Sequence, residues 1–593
     1  MGAIPFAGGT AFRVWAPNAQ AVAVAGDFNG WSETSDPLAH ERNGYWSGEV
    51  RAAQPGQQYQ YVITYQGQRL ERHDPYGYDV DNSNGHTVIL DPAVFDWSGE
   101  PAFAMPPWNE LVIYEMHIGT FNDQPGGPPG TLDTAISRLA HVAELGANAI
   151  QIMPLAEFPG GFSWGYNPAD IFAVESEYAG PRGLVALIQA AHRLGIAVII
   201  DVVYNHLGPD DLDTWQFDGW QQDGKGGIYF YSDWRSRTPW TDSGRPDYGR
   251  PEVRQYLRDN ALFWLDAFRA DGLRWDMTLY IRTVEGNEDD GGQSLPDGWG
   301  LMQWVNSEIN RRSPWKISIA EDLQDNPWLT ADADDGGAGF DAQWAADFVH
   351  PVRRAVIASW DDQRSMSAVR DAILGRYGAS AFARVIYTES HDEVANGKAR
   401  VPFEISPEEA GGWLARKRST LGAVLVFTAP GIPMLFQGQE FLEDEWFRDT
   451  DPLDWGKKER FAGIFRMYQD LIRLRRNWDD RTRGLIGHNV NVFHVNDTDK
   501  VIAFHRWDRG GPGDDVVVAM NFSNRSYDSY TIGLPREGRW RVRFNSDWSG
   551  YSPDFGSHRG YDTEAHPGPR DGLACNGNIG IGRYSALVLT QER

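Results

Sequence analysis

One cysteine, Cys575, stands in a chain of 593 residues, so an internal disulfide framework is excluded and a reducing compartment suits the sequence. No apolar run approaches the ~20 residues that a membrane-spanning helix requires. The opening MGAIPFAGGTAFRVWAP lacks the basic-then-apolar order of a secretory leader. These absences predict a cytoplasmic protein with no membrane partner. Positive charge is also scarce. Against 82 Asp and Glu there are 54 Lys and Arg, a formal charge of −28, which argues against a nucleic-acid partner and suits a neutral one. Fixed-period repeats, low-complexity tracts, dinucleotide fingerprints and P-loops are all missing, so no cofactor is expected and the chemistry falls to side chains.

Aromatic residues, by contrast, are abundant: they make up 13% of the chain, with 25 tryptophans. Large cores in several domains account for many of them, and sugar-stacking platforms are the sharper reading for a few exposed ones. The length calls for more than one core, one of them large enough for a barrel of roughly 250 residues. Residues 1–97 read as an all-β sandwich, in short runs such as FRVWAP, AVAVAG and YQYVITY between Gly, Pro and Asn turns. Over 107–484 continuous apolar strands (LVIYEMHI, AIQIMPL, AVIIDVVYNH, GLRWDM, KISIAED, FARVIYTESHD) alternate with amphipathic helices such as VRQYLRDNALFWLDAF. Buried strands alternating with helices indicate a parallel sheet covered on both faces. Enough βα units are present to close a (β/α)₈ TIM barrel; an open doubly wound sheet would have to be unusually wide. Over 485–593 short strands return as a C-terminal β-sandwich. Two polar stretches, Asp210 to Arg250 and Glu285 to Gly300, are long excursions from strand ends, where barrels carry function.

Acids gather at those strand ends: Asp201 with His206, Arg274 with Asp276, Glu321, and His391 with Asp392. In a barrel such positions converge on one mouth although they are far apart in sequence. Alone, each would pass for a helix cap or a loop ion pair. Two carboxyls across a small gap can cleave a glycosidic bond, one attacking the anomeric carbon while the other protonates the leaving oxygen; retention of configuration needs ~5–5.5 Å between them.

These four segments resemble, in order and in barrel context, the four short regions that mark the α-amylase superfamily. The resemblance implies that Asp276 is the nucleophile, Glu321 the general acid/base and Asp392 the carboxylate that holds substrate hydroxyls and favours the distorted sugar. Arg274 is implied to keep Asp276 ionised and aimed. His206 and His391 are implied to donate to sugar hydroxyls, Tyr166 of SWGYNP to lie under the same sugar, and Asp201 joins this substrate-binding set. Glu321 must be protonated to begin and deprotonated to finish, so its pKa should be raised by an apolar mouth or by neighbouring acids, Asp322 among them. Asn205 resembles a calcium-ligand position of α-amylases, but a lone Asn is a weak ligand and metal use stays open.

FRVWAPNAQAVAVAGDFNGW is similar to the glycogen-binding-type sandwich that precedes the barrel in branching enzymes, isoamylase-type debranching enzymes and trehalose-releasing hydrolases. With YEMHIGTF, MPLAEFPG, WGYNP, FDAQWAADF and SHDEV, the resemblance to 1,4-α-glucan branching enzymes covers nearly the whole chain. An α-1,4-glucan substrate and transfer to a 6-hydroxyl are therefore the first expectation. Departures exist: AEDL has Asp322 where many branching enzymes have a second Glu, GLRWDM carries Trp275, and FQGQEF replaces a commoner motif. RTPW and FQGQE are also similar to maltooligosyl-trehalose trehalohydrolases, so trehalose release is the alternative, with debranching behind it. A glucan-binding scaffold with an inert barrel is the non-enzyme alternative, which the intact Asp276, Glu321 and Asp392 oppose.

Overall fold

The computed structural model describes residues 1–592. Eight parallel strands close a barrel: β1 (Ile113–Met116), β2 (Ala149–Ile152), β3 (Ala197–Val202), β4 (Gly272–Trp275), β5 (Ile317–Ala320), β6 (Ala342–Trp344), β7 (Arg384–Ile386) and β8 (Ile432–Phe436), which returns to pair with β1. The expected closed barrel, not the open sheet, is what forms.

Strand alternation sorts its side chains into two cores. Ile113, Ile199, Ile319, Trp344, Val385 and Met434 fill the interior. Their neighbours Tyr114, Ile200, Trp275, Ala320 and Leu435 face outward into the layer beneath the helices. The helix Pro251–Asp266 shows how that layer is built: Pro sits in its first turn, and Val253, Tyr256, Leu257, Ala261 and Trp264 form its buried stripe. The bulky Trp275 is explained by the same alternation. It lies between two inward positions, Arg274 and Asp276, so it points out of the barrel, against Tyr204 and Phe340.

Before the barrel, two four-stranded antiparallel sheets make the expected sandwich, one built on Gly9–Trp15 and Tyr45–Val50, the other on Ala21–Gly26 and Gln58–Tyr65. It grips the long excursion after β3. The backbone and side-chain N–H groups of Asn18 donate to Asp218 at 2.8 and 3.0 Å, His73 N donates to Asp213 at 2.6 Å, and Trp15 meets Tyr229 edge-on. After the barrel, one eight-stranded antiparallel sheet packs around Trp540, Ile532, Ile579 and Leu589 and holds the single cysteine in that core. The second excursion is shorter than its polarity suggests, because the helix Pro296–Arg312 begins at a proline inside it. Among the described residues no helix is long and apolar enough to cross a membrane.

Candidate active site

The interior of the barrel changes character toward the C-terminal ends of its strands. In-register pairing sets Asp201 of β3 beside Arg274 of β4, and Glu115 of β1 beside Gln151 of β2. Above the apolar layer this produces a ring of buried polar groups, with Arg274 at its centre.

Arg274 is fully buried. Its Nη1 donates to both carboxylate oxygens of Asp201 at 2.9 and 2.7 Å and to Asp276 Oδ1 at 3.0 Å. Nη2 lies 2.6 Å from Glu321 Oε2, an ion pair not aligned as a hydrogen bond. The guanidinium also lies over the Trp344 ring, 4.4 Å from its centroid. Burial opposes the charge on Arg274, but Asp201 and Glu321 outweigh it and its pKa is raised. A cation that stays charged in a dry pocket is what permits several carboxylates to be held there together.

Each acid has its own surroundings. Both oxygens of Asp276 are engaged: Oδ1 by Arg274, Oδ2 by the Asn205 amide at 2.6 Å. Glu321 accepts from Met277 N at 3.0 Å on Oε2, while its buried Oε1 has no hydrogen-bond partner. Met277 itself sits in the left-handed region, φ 36°. Burial pushes the Glu321 carboxyl up, to about 8; Arg274 opposes this, and Asp276 and Asp392 add to it. Asp322 is not among the chief causes of that shift, which the sequence reading had allowed for. It turns away to Arg282, accepting from Nε at 2.8 Å and Nη2 at 2.6 Å, and is neutralised there. Asp201 is pushed up to about 7, chiefly by burial, against the pull of Arg274. Asp392 is the most open of the acids and accepts from the Asn396 amide at 3.0 Å.

Tyr166 donates to Asp201 at 2.7 Å and lies nearly parallel to His391, ring centroids 5.1 Å apart. His391 Nδ1 is 2.7 Å from Glu115 Oε1, and the His391 backbone N–H donates to Oε2 at 3.1 Å. Burial would strip the charge from His391, but Asp392 and Glu115 overcome it and raise its pKa to about 9. An ionised carboxylate only accepts, so Nδ1 carries a proton, and Nε2 bears one as well only in the imidazolium. His206 lies against two of these residues. Its Nε2 donates to the Tyr166 carbonyl at 2.8 Å and its Nδ1 contacts the Asn205 side-chain oxygen, so both ring nitrogens are spent on protein. The ring thus bridges Tyr166 and Asn205.

All eight residues singled out in the sequence thus meet in one network. Glu115, Asn205 as a brace on Asp276, the Met277 N–H and Trp344 were not singled out for these parts. Glu115 left one trace, a lone acid inside the apolar run LVIYEMHI. Asn205 sets its amide N–H on Asp276 and its oxygen against His206.

Residues 1–77 match the model of carbohydrate-binding module 48, the isoamylase N-terminal domain. Residues 113–241 match that of the α-amylase catalytic domain, and 493–592 that of the α-amylase C-terminal all-β domain. The catalytic match takes in Tyr166, Asp201 and His206 and stops before Asp276. The 1,4-alpha-glucan branching enzyme GlgB of Corynebacterium jeikeium is 30% identical over 568 residues, 92% of this chain and 77% of that protein. The one from Salinibacter ruber is 29% identical over 623 residues, 99% of this chain and 96% of that protein. Among solved structures, a pullulanase from Anoxybacillus sp. LM18-11 complexed with maltotriose shares the fold, with TM-score 0.78 at 22% identity, covering 100% of this chain and 85% of that one. The chain belongs to the α-amylase family and, within it, to the group of the 1,4-α-glucan branching enzymes.

Proposed function

We propose that this protein cleaves α-1,4 bonds of a glucan by a retaining double displacement and passes the released segment to a glucan 6-hydroxyl, making an α-1,6 branch. The observation that carries the chemistry is the sharing of one buried guanidinium by Asp276 and Glu321, 3.0 and 2.6 Å from its two terminal nitrogens. Two carboxylates within the reach of one Arg side chain support the short spacing of a retaining pair, ~5–5.5 Å, over the wider gap that admits a water.

In the first step an Asp276 oxygen forms a bond to the anomeric carbon while the glycosidic C–O bond breaks. Glu321 gives its proton to the departing oxygen. Oε2 is occupied by Met277 N–H, so the unpartnered Oε1 is the atom that carries this proton. In the second step ionised Glu321 takes the proton of the incoming 6-hydroxyl, whose oxygen displaces Asp276. Arg274 and Asn205 keep Asp276 oriented, and the cation of Arg274 and the amide N–H of Asn205 stabilise the negative charge that returns to it when the bond breaks. Asp392 and the Nε2–H of charged His391 are the groups left to hold sugar hydroxyls, with the Tyr166 ring beside them.

Branching and hydrolysis share these steps and differ in what attacks the intermediate. The likeness to branching enzymes along nearly the full chain supports the 6-hydroxyl. Incubation with amylose tests this: new α-1,6 linkages with few new reducing ends are expected. A rise in reducing ends without branches, or free trehalose released from a maltooligosyl-trehalose, would replace the reading with hydrolysis.

A further inference from the structure

A cavity of about 320 Å³ lies beside the active site, lined by Trp234, Arg237, Thr238 and Pro239 of the excursion after β3 and by Val284 and Glu285 after β4. That volume lies in the range of small-ligand sites, and the lining pairs apolar surface with few polar groups, as such sites do. Next in sequence to Pro239 is Trp240, 43% exposed, which stacks on His206 at 4.9 Å and meets Tyr280 edge-on at 5.2 Å. Trp234 itself is 55% exposed. Leaving a large indole half in water forgoes burial that folding alone would favour. Two such indoles stand six positions apart on the same excursion, one of them touching an active-site histidine.

The two walls are bolted together from behind. Arg245 is 0% exposed and among the described residues no carboxylate pairs with it; instead it donates to the carbonyls of Arg235 at 2.7 Å, Arg237 at 2.6 Å, Thr283 at 3.1 Å and Val284 at 2.6 Å, and to that of Tyr280. One buried cation thus fixes five backbone groups on the two segments that line the cavity. Burying an unpaired charge is costly, and core packing alone does not ask for it. It holds the cavity in one shape before anything binds, which is what makes a weak sugar contact worth having.

We propose that this cavity is a glucan subsite outside the catalytic centre, in which the Trp234 indole stacks on a glucose face of the chain running out past Trp240, while Arg237 and Glu285 meet its hydroxyls. Arg245 is a positioning residue for it. The inference rests on the glucan-active reading given above. The test measures maltoheptaose binding to Glu321→Gln protein, which binds without turning over, and to the same protein carrying Trp234→Ala, Trp234→Phe or, as a control on a remote exposed indole, Trp360→Ala. The Ala change at 234 should weaken binding about tenfold, ~1.4 kcal/mol. Phe should restore most of it and Trp360→Ala should leave it unchanged. Equal binding with and without Trp234, or a loss that Phe does not repair, overturns the subsite. Failure of the parent Glu321→Gln protein to bind maltoheptaose overturns the glucan reading itself.

Discussion

Replacing Glu115 by Gln removes one charge from beneath His391 and keeps the size and an accepting oxygen. His391 is held at about 9 by Asp392 and Glu115 against the effect of burial. With Glu115 neutral, burial again opposes the charge and only Asp392 supports it, so the value should fall to roughly 6.5 or below. The sign follows from a raised pKa: the charged form is present below it and is lost as pH rises through it. At pH 8 the charged fraction then drops from about nine-tenths to about 3%, roughly thirtyfold, whereas at pH 5.5 about nine-tenths stays charged in the variant and nearly all in the parent. Because Nε2 carries a hydrogen only in the charged ring, kcat/KM on a maltooligosaccharide at pH 8 should fall by about the same thirtyfold, with most of the loss recovered at pH 5.5. The assay is the ratio of variant to parent kcat/KM across pH, which cancels titrations common to both. A ratio that does not change with pH would refute the reasoning, leaving Glu115 a purely steric support.

Other changes have distinct signatures. Asn205→Ala removes a 2.6 Å hydrogen bond to Asp276, and kcat should fall about 10- to 100-fold, as for loss of a bond to a charged group. Asp392→Asn removes one of the charges that raise Glu321; in the activity that remains, the basic limb of the pH profile should move to lower pH, because protonated Glu321 is then lost sooner. Arg282→Ala leaves Asp322 buried without its cation, a cost of about 3–5 kcal/mol, to be read as faster thermal inactivation. Arg245→Leu strands five carbonyls, and heat resistance and maltoheptaose affinity should decline together.

The barrel was legible in the sequence because parallel strands buried on both faces leave continuous apolar runs, and its acids were legible because they end those runs. Trp275 looked anomalous until alternation placed it outward between Arg274 and Asp276. What stayed hidden depends on partners remote in the chain. Glu115 meets His391 across the ring at the closure of the barrel. Asp322 follows Glu321 directly yet faces Arg282, because consecutive residues take opposite sides. His206 looked free to meet a sugar, and only the fold brings the Tyr166 carbonyl to its Nε2. Arg245 left no pattern at all, since its partners are backbone carbonyls that every residue supplies.

The central claim is that Asp276 carries the glycosyl group while Glu321 handles the proton. It is tested most directly by reacting Glu321→Gln protein with maltosyl fluoride, whose leaving group needs no acid, and mapping the product by mass spectrometry. The expected result is one maltosyl adduct on Asp276, stable because no base remains to activate an acceptor. The absence of any adduct, or its appearance on another residue, would contradict the account.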